Sequence, residues 1–268
     1  MKKKIFRWIK IIVTVYCIIG IGLYYLQDKI FFHPEPLAAD YQYDFPIPHE
    51  EVNIPYTRKS TINIVQFHPV DSPARGVVLY FHGNRRNIAR YVMRAPGFTK
   101  NGYEVWMIDY PGFGKSTGEF SEQMLYDWAL VFYKLARARY SKDSIILYGR
   151  SLGSGIAAQL AAVRDCKALI LETPYYSFTS MAGSWFPVYP VKQMIEFKIP
   201  TWKYLQEVTA PVTIIHGTDD GIISHRYAKR LMPYLKKGDR FVSIEDGSHN
   251  DLDKFALYSK TVDSVLNH

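Results

Sequence analysis

The chain has 268 residues, 48% of them hydrophobic, which is enough for one large domain with a full core. Its two cysteines, Cys17 and Cys166, are too few for a disulfide framework. The formal net charge of +8 does not point to nucleic acid, because residues 1–30 hold six Lys/Arg against one Asp and leave only +3 for the remainder.

The basic start "MKKKIFRWIK" runs into Ile11–Leu26, sixteen residues without a charge. At the helical rise they reach roughly 24 Å, against ~30 Å of hydrocarbon. Snorkelling by Lys10, and Trp8, Tyr24 and Tyr25 at the interfaces, make up the difference. No small-x-small cleavage site follows in "YYLQDKIFFHP", so an uncleaved signal anchor is expected rather than a signal peptide. Positive charge before the span places the amino terminus in the cytoplasm and the rest of the chain outside it, periplasmic or extracellular in a bacterium. The membrane is thus expected to hold residues 5–26.

Residues 29–56 are punctuated by proline and show no clear period, which reads as a stalk or lead-in. From there on, apolar runs of strand length alternate with helix-length segments: "INIVQF", "GVVLYF", "YEVWMID", "SIILYG", "ALILE", "PVTIIHG" and "RFVSIE". Between them lie amphipathic helix candidates at Ser121–Tyr140 and His225–Leu235. Continuous apolar strands alternating with helices predict an α/β fold with a mostly parallel, doubly wound sheet covered on both faces. One interval, residues 173–209, is rich in aromatics and proline and too long for a plain connection, so a lid-like insertion is expected there. The expected organisation is anchor 1–28, lead-in 29–56 and globular domain 57–268.

The chemistry centres on "GRSLG" at 149–153, a G-x-S-x-G set between a strand candidate and a helix candidate. In a nucleophile elbow the serine, here Ser151, occupies a strained turn while the flanking glycines keep Cβ atoms out of a crowded crossing. The amide of Leu152 then sits at the positive helix end and faces the charge developing on a substrate oxygen. An elbow requires an acid and a histidine after later strands. "IIHGTDDGIIS" supplies Asp219 and Asp220, and "SIEDGSHND" supplies His249. A second oxyanion donor is expected after an early strand, at "FHGNRRN", where Gly83 admits a close backbone and Asn84 offers its N–H; His82 is expected to brace that loop.

Other chemistries fail on spacing. The Gly-Lys-Ser at 114–116 has Asp109 where a phosphate-binding loop needs its first glycine, and Gly112 and Gly114 are followed by Gly118, one position late for a dinucleotide fingerprint. The eight histidines lack metal-ligand spacing. Neither a metal nor a cofactor is expected.

These motifs together resemble the α/β-hydrolase superfamily from about Glu50 to the carboxyl end. "FHGNRRNIARY", "MIDYPGFGKSTGE", "LYGRSLGSGIA", "ETPYYSF", "IIHGTDDGIIS" and "GSHND" are similar to the branch that holds membrane-associated lysophospholipid lipases, protein depalmitoylases and many bacterial members. The resemblance implies Ser151 as nucleophile, His249 as base, and the backbone amides of Asn84 and Leu152 as oxyanion hole. It maps the acid to Asp220, the last residue of H-G-T-x-D, ahead of Asp219 and then Glu172. The chain departs from the pattern at Arg85 and Arg86, where small residues are commoner, and at Ser248, where glycine is. The arginines suggest an anionic group near the mouth, or plain solvation.

The expected activity is a membrane-anchored serine hydrolase of esters or thioesters, lipid-derived substrates included, working through an acyl-enzyme. An amidase or peptidase on the same triad and a catalytically inactive binding protein are the alternatives. For Asp109 and Glu172 the expectation is hydrogen bonding to loop amides, for Lys115 and Arg150 solvation, and for Trp185, Phe186, Val188, Tyr189 and Trp202 lid packing, an acyl pocket or the membrane surface.

Overall fold

A computed structural model describes residues 1–70 and 73–267. Helix α1, Lys2–Tyr25, projects from the domain without burying a residue, and a single turn, Gln27–Phe31, leads inward. Strands β1 (His49–Thr57), β2 (Ser60–Phe67), β3 (Gly76–Phe81) and β4 (Tyr103–Ile108) precede helix α2 (Glu122–Arg137). Then come β5 (Ile145–Arg150), α3 (Leu152–Val163), β6 (Ala168–Glu172), α4 (Phe178–Trp185), β7 (Val212–Gly217), β8 (Arg240–Ile244) and α5 (Ala256–Asn267).

The strands form one eight-stranded sheet in the order β8-β7-β6-β5-β3-β4-β2-β1. From β4 to β8 every pairing is parallel, while β2 is antiparallel to both β4 and β1. The chain therefore leaves β3 on one side and returns to it on the other, and at such a reversal the loops after β3 and β5 part and leave a crevice. Strand β3 shows how both faces are covered. Val77, Leu79 and Phe81 pack under α2 and α3, while Val78 and Tyr80 pack in the second core layer with Tyr258 and Val262 of α5.

Each helix has a local cause. Ser121 caps α2 by accepting from the Met124 N–H at 3.2 Å, and Leu125, Trp128, Ala129, Phe132, Tyr133 and Ala136 form its buried stripe. Burial of each large member stabilises by roughly 1.5–3 kcal/mol. Seven of the twelve residues of helix α3 are Gly, Ala or Ser, which lets its first turns lie close against the sheet.

Two expectations are corrected. The segment 29–56 is not merely a lead-in: His49–Thr57 is the edge strand, and Phe31 and Phe32 are core residues. Prolines at 46, 48 and 55 obscured the period, but an edge strand tolerates proline. The helix expected over His225–Leu235 is α-helical only for His225–Ala228 and continues as a 3-10 segment containing Pro233, which cannot donate to the ladder. The insertion folds as α4 and two short turns, Val191–Met194 and Thr201–Leu205, packed over the phenylalanines that follow α1.

Candidate active site

Ser151 stands between β5 and α3 with φ 51° and ψ −115°, a conformation costing about 1–3 kcal/mol for a residue with a Cβ. Its surroundings hold it there. The Ser151 N–H donates to the Glu172 carbonyl at 2.9 Å, Gly153 N–H to the His82 carbonyl at 3.1 Å, and Ser154 Oγ to the Ser151 carbonyl at 2.6 Å. A Cβ on Gly149 would strike the Gly153 carbonyl, and one on Gly153 would strike the carbonyl of Phe81. Only glycine lets the turn pass beneath β3.

The loops after β7 and β8 bring in the acid and the histidine. They are tied together by Thr218 N–H to Ile244 O at 2.9 Å and Asp219 N–H to Gly247 O at 3.0 Å. His249 Nε2 lies 3.1 Å from Ser151 Oγ, and His249 Nδ1 lies 2.7 Å from Asp220 Oδ2. The other Asp220 oxygen accepts the N–H groups of Ile222 and Ile223 at 2.9 and 2.8 Å. Burial works to raise the Asp220 carboxyl, but the His249 hydrogen bond and charge and the Ile223 amide outweigh it and hold it below the ordinary range. Asp219 faces solvent, and Glu172 is committed elsewhere. Of the three acid candidates only Asp220 reaches His249.

The loop after β3 supplies the remaining wall. Gly83 lies so near the serine that its Cβ would sit 3.6 Å from that of Ser151 and 2.9 Å from the Tyr91 hydroxyl. Among the described residues the backbone N–H groups of Asn84 and Leu152 donate to no protein acceptor, as an oxyanion hole requires. Asn84 is fixed through its side chain, which donates to the Phe31 carbonyl at 2.6 Å. Beneath it His82 is fully buried, with Nδ1 2.6 Å from the Gly83 carbonyl and Nε2 3.1 Å from Asp109. Asp109 also accepts from Ile88 N–H at 3.0 Å, and burial raises its carboxyl above the ordinary value despite His82.

Two side chains expected in solvent are buried instead. Lys115 is enclosed by Glu51 at 2.6 Å and the Tyr41 carbonyl at 2.8 Å. Arg150 is 5% exposed: Nε donates to Glu172 at 3.0 Å, and Nη2 donates to the His249 carbonyl at 2.8 Å and to Asn250 Oδ1 at 2.9 Å. Glu172 also meets Arg94 at 3.5 Å and the hydroxyls of Tyr148 and Tyr258. It binds charged and phenolic side chains rather than loop amides. Full burial alone would raise its carboxyl, yet Arg94 and Arg150 outweigh it and hold it at about 2. Spacing could not reveal this network, because Arg150 and Glu172 meet by pairing of β5 with β6 and Arg94 joins them from the 3-10 turn Val92–Arg94. His216 was also missed: it is buried 3.6 Å from Asp220, and desolvation lowers its pKa, so that it adds bulk and no charge beside the acid.

Above Ser151 and His249 lies a cavity of about 320 Å³. Ile30, Phe31, Trp185 and Ile222 contribute apolar lining, and His33, Arg85 and Arg90 contribute polar lining. Arg86 turns away to Glu35 at 2.6 Å. Trp202 stacks on Tyr176, away from the cavity.

A family model described as serine aminopeptidase, S33 (Hydrolase_4) matches residues 72–194. Alpha/beta hydrolase domain-containing protein 17C from Xenopus tropicalis is 30% identical over 199 residues, which is 73% of this chain and 63% of the relative. Its Mus musculus counterpart is 29% identical, over 73% and 61%. The match thus spans a little over three-fifths of these relatives' length. Among solved structures, the Pyrococcus furiosus esterase Pf2001 superposes with a TM-score of 0.67 at 16% identity, over 88% of this chain and 98% of that one. A soluble variant of monoglyceride lipase from Saccharomyces cerevisiae, in complex with a substrate analog, gives 0.64 at 15%, over 86% and 98%. With its strand order, its elbow and these similarities taken together, the chain has the α/β-hydrolase fold.

Proposed function

We propose that this chain is a membrane-anchored serine hydrolase that cleaves carboxylic esters or thioesters. The observation that carries the reading is the contact series from Ser151 Oγ through His249 to Asp220, at 3.1 and 2.7 Å, at a strained elbow. In this reading His249 Nε2 takes the serine proton as Oγ attacks the substrate carbonyl carbon. The Asn84 and Leu152 amides receive the oxyanion, and Asp220 stabilises the imidazolium. The proton then passes to the leaving alcohol or thiol, and water enters by the same route to release the acid from Ser151.

Anchoring is supported by α1, 24 residues long, uncharged from Ile11 onward and burying nothing against the domain. An apolar helix that exposes nearly all of its surface is stable in lipid and not in water. The orientation that follows from its basic start puts the hydrolase domain outside the cytoplasm.

The experiment is labelling of the full chain in detergent with a fluorophosphonate, wild type against Ser151→Ala. Labelling lost only in the variant supports the reading, and a folded wild type that stays unlabelled overturns it. The description of the matching family model favours amide bonds as a second reading. Matched ester and anilide substrates decide between them.

A further inference from the structure

The insertion does not only roof the cavity; it also touches the anchor well down its length. Tyr189 stacks on Tyr16 with ring centres 4.6 Å apart and planes 6° from parallel. The Tyr16 hydroxyl donates to the Val188 carbonyl, and the Tyr189 hydroxyl to the Tyr16 carbonyl, each at 3.1 Å. Gly20 makes the room: a Cβ there would come within 3.2 Å of the Tyr189 ring. Nearer the domain, Gln27 accepts the Glu196 N–H at 2.8 Å, and Phe31 stacks on Trp185 at 5.7 Å. Anchor and insertion are therefore joined at three levels.

Depth follows from helix geometry. Gly20 and Tyr16 lie roughly 8 and 14 Å along the helix axis from Tyr25, the aromatic end of the span. That interval is the outer half of a ~30 Å hydrocarbon layer. Whatever medium surrounds Tyr16 also surrounds the insertion's tip. The tip suits lipid: residues 178–195 contain no acid and a single charge, Lys192, while Trp185 and Val188 are 42% and 71% exposed. Both tyrosine hydroxyls are spent on backbone carbonyls, as hydrocarbon demands of polar groups.

We infer that the tip Trp185–Tyr189 is seated in the outer leaflet beside α1, with lipid acyl chains as its partner, so that the cavity over Ser151 opens to the bilayer through Ile30, Phe31 and Trp185. This rests on α1 being a membrane span. An acyl ester can then slide from the leaflet between the insertion and the anchor with its chain never crossing water, while its carbonyl comes to Ser151. Phe31 links the two events, since its ring walls the cavity and its carbonyl holds Asn84 of the oxyanion loop.

The test uses the full chain in phosphatidylcholine vesicles, with Cys17→Ser and a fluorescent nitrobenzoxadiazole label on Val188→Cys, or on Asp143→Cys at the opposite end of the sheet. Doxyl-labelled phosphatidylcholine is expected to quench position 188 several-fold more than position 143, and aqueous iodide to do the reverse. Iodide quenching of position 188, in a protein that resists alkaline carbonate extraction, overturns the inference and leaves the anchored hydrolase intact. Extraction by carbonate overturns both. In a second measurement, Val188→Asp lowers turnover of p-nitrophenyl palmitate in vesicles about tenfold or more and leaves soluble p-nitrophenyl acetate unchanged. Equal effects on the two esters overturn the inference.

Discussion

The Arg150 guanidinium donates to the backbone carbonyl of His249 at 2.8 Å while its Nε holds Glu172 at 3.0 Å. The residue before Ser151 thus secures the loop carrying His249, and the buried carboxylate secures the arginine. Arg94 meets the same Glu172 oxygen, Oε1, at 3.5 Å and reaches Asp253 at 3.1 Å. Registration of Ser151 with His249 is a property of this buried cluster as much as of the two residues.

Removing that tie is expected to act on rate as well as on stability. Arg150→Met leaves Glu172 short of one cation and should cost about 3–5 kcal/mol, read as a lower thermal midpoint in detergent. At a temperature where the variant is fully folded, a His249 displaced by ~1 Å should lower kcat for a short ester about 100-fold, with fluorophosphonate labelling slowed in parallel. Arg150→Lys keeps the charge but loses the fork, and should recover stability better than rate. Full activity in folded Arg150→Met would mean that the His249 loop needs no such support.

The triad roles predict a ranking. Ser151→Ala and His249→Ala should each reduce turnover on the order of 10⁶, and Asp220→Asn about 10⁴. Asp219→Asn should stay within a few-fold, because Asp219 points to solvent. Asn84→Ala retains the backbone N–H and loses only the bond to Phe31, so a fall below about tenfold is expected. Ester hydrolysis by the five purified variants gives the order, and a larger loss for Asp219→Asn than for Asp220→Asn would reassign the acid.

The crowding at the elbow predicts opposite results for one kind of substitution. Gly153→Ala drives a methyl into the Phe81 carbonyl, a backbone group that cannot swing away, and should cost at least about 3 kcal/mol or prevent folding. Gly183→Ala, in α4 with open space around it, should stabilise by roughly 0.5–1 kcal/mol through helix propensity. Thermal midpoints of the two variants make the comparison.

Acid should weaken the fold through Glu172. Its folded carboxyl titrates at about 2 against an ordinary 4.5, so the folded chain binds this proton less readily than the unfolded chain. The stabilisation, about 3 kcal/mol, is complete above roughly pH 4.5 and is lost as the pH falls towards 2. Asp220, held low, and Asp109, raised by burial, titrate in both proteins, so the difference between wild type and Glu172→Gln isolates the one group. Thermal midpoints at pH 7, 4 and 3 should fall more steeply for the wild type. Parallel slopes would show that the carboxylate carries no net ionic stabilisation.

Local chemistry made much of this molecule legible in one dimension. Apolar runs such as "GVVLYF" and "ALILE" announce strands buried on both faces, and the glycines around Ser151 announce a turn that excludes side chains. The order of Ser151, Asp220 and His249 after successive strands identifies a set of residues that one sheet edge can gather, because parallel strands put all their carboxyl ends on the same side. Edge strand β1 is hard to read in sequence because Pro55 within it, and Pro46 and Pro48 just before it, break the pattern that a central strand would keep.

The tertiary structure decided which neighbours those residues have. Asp219 and Asp220 are the same side chain at adjacent positions, ranked in sequence only by the H-G-T-x-D resemblance, and a single step of backbone direction sends one to solvent and the other to His249. Arg150 and Lys115 read as solvated because charge prefers water, but Glu172 on the adjoining strand β6 and Glu51 on the edge strand β1 offset the desolvation. The contact of Tyr16 with Tyr189 joins residues 173 positions apart. Periodicity and propensity act over a few residues, whereas pairing of buried charge and the meeting of α1 with the segment 173–209 depend on distances through space that only the folded chain defines.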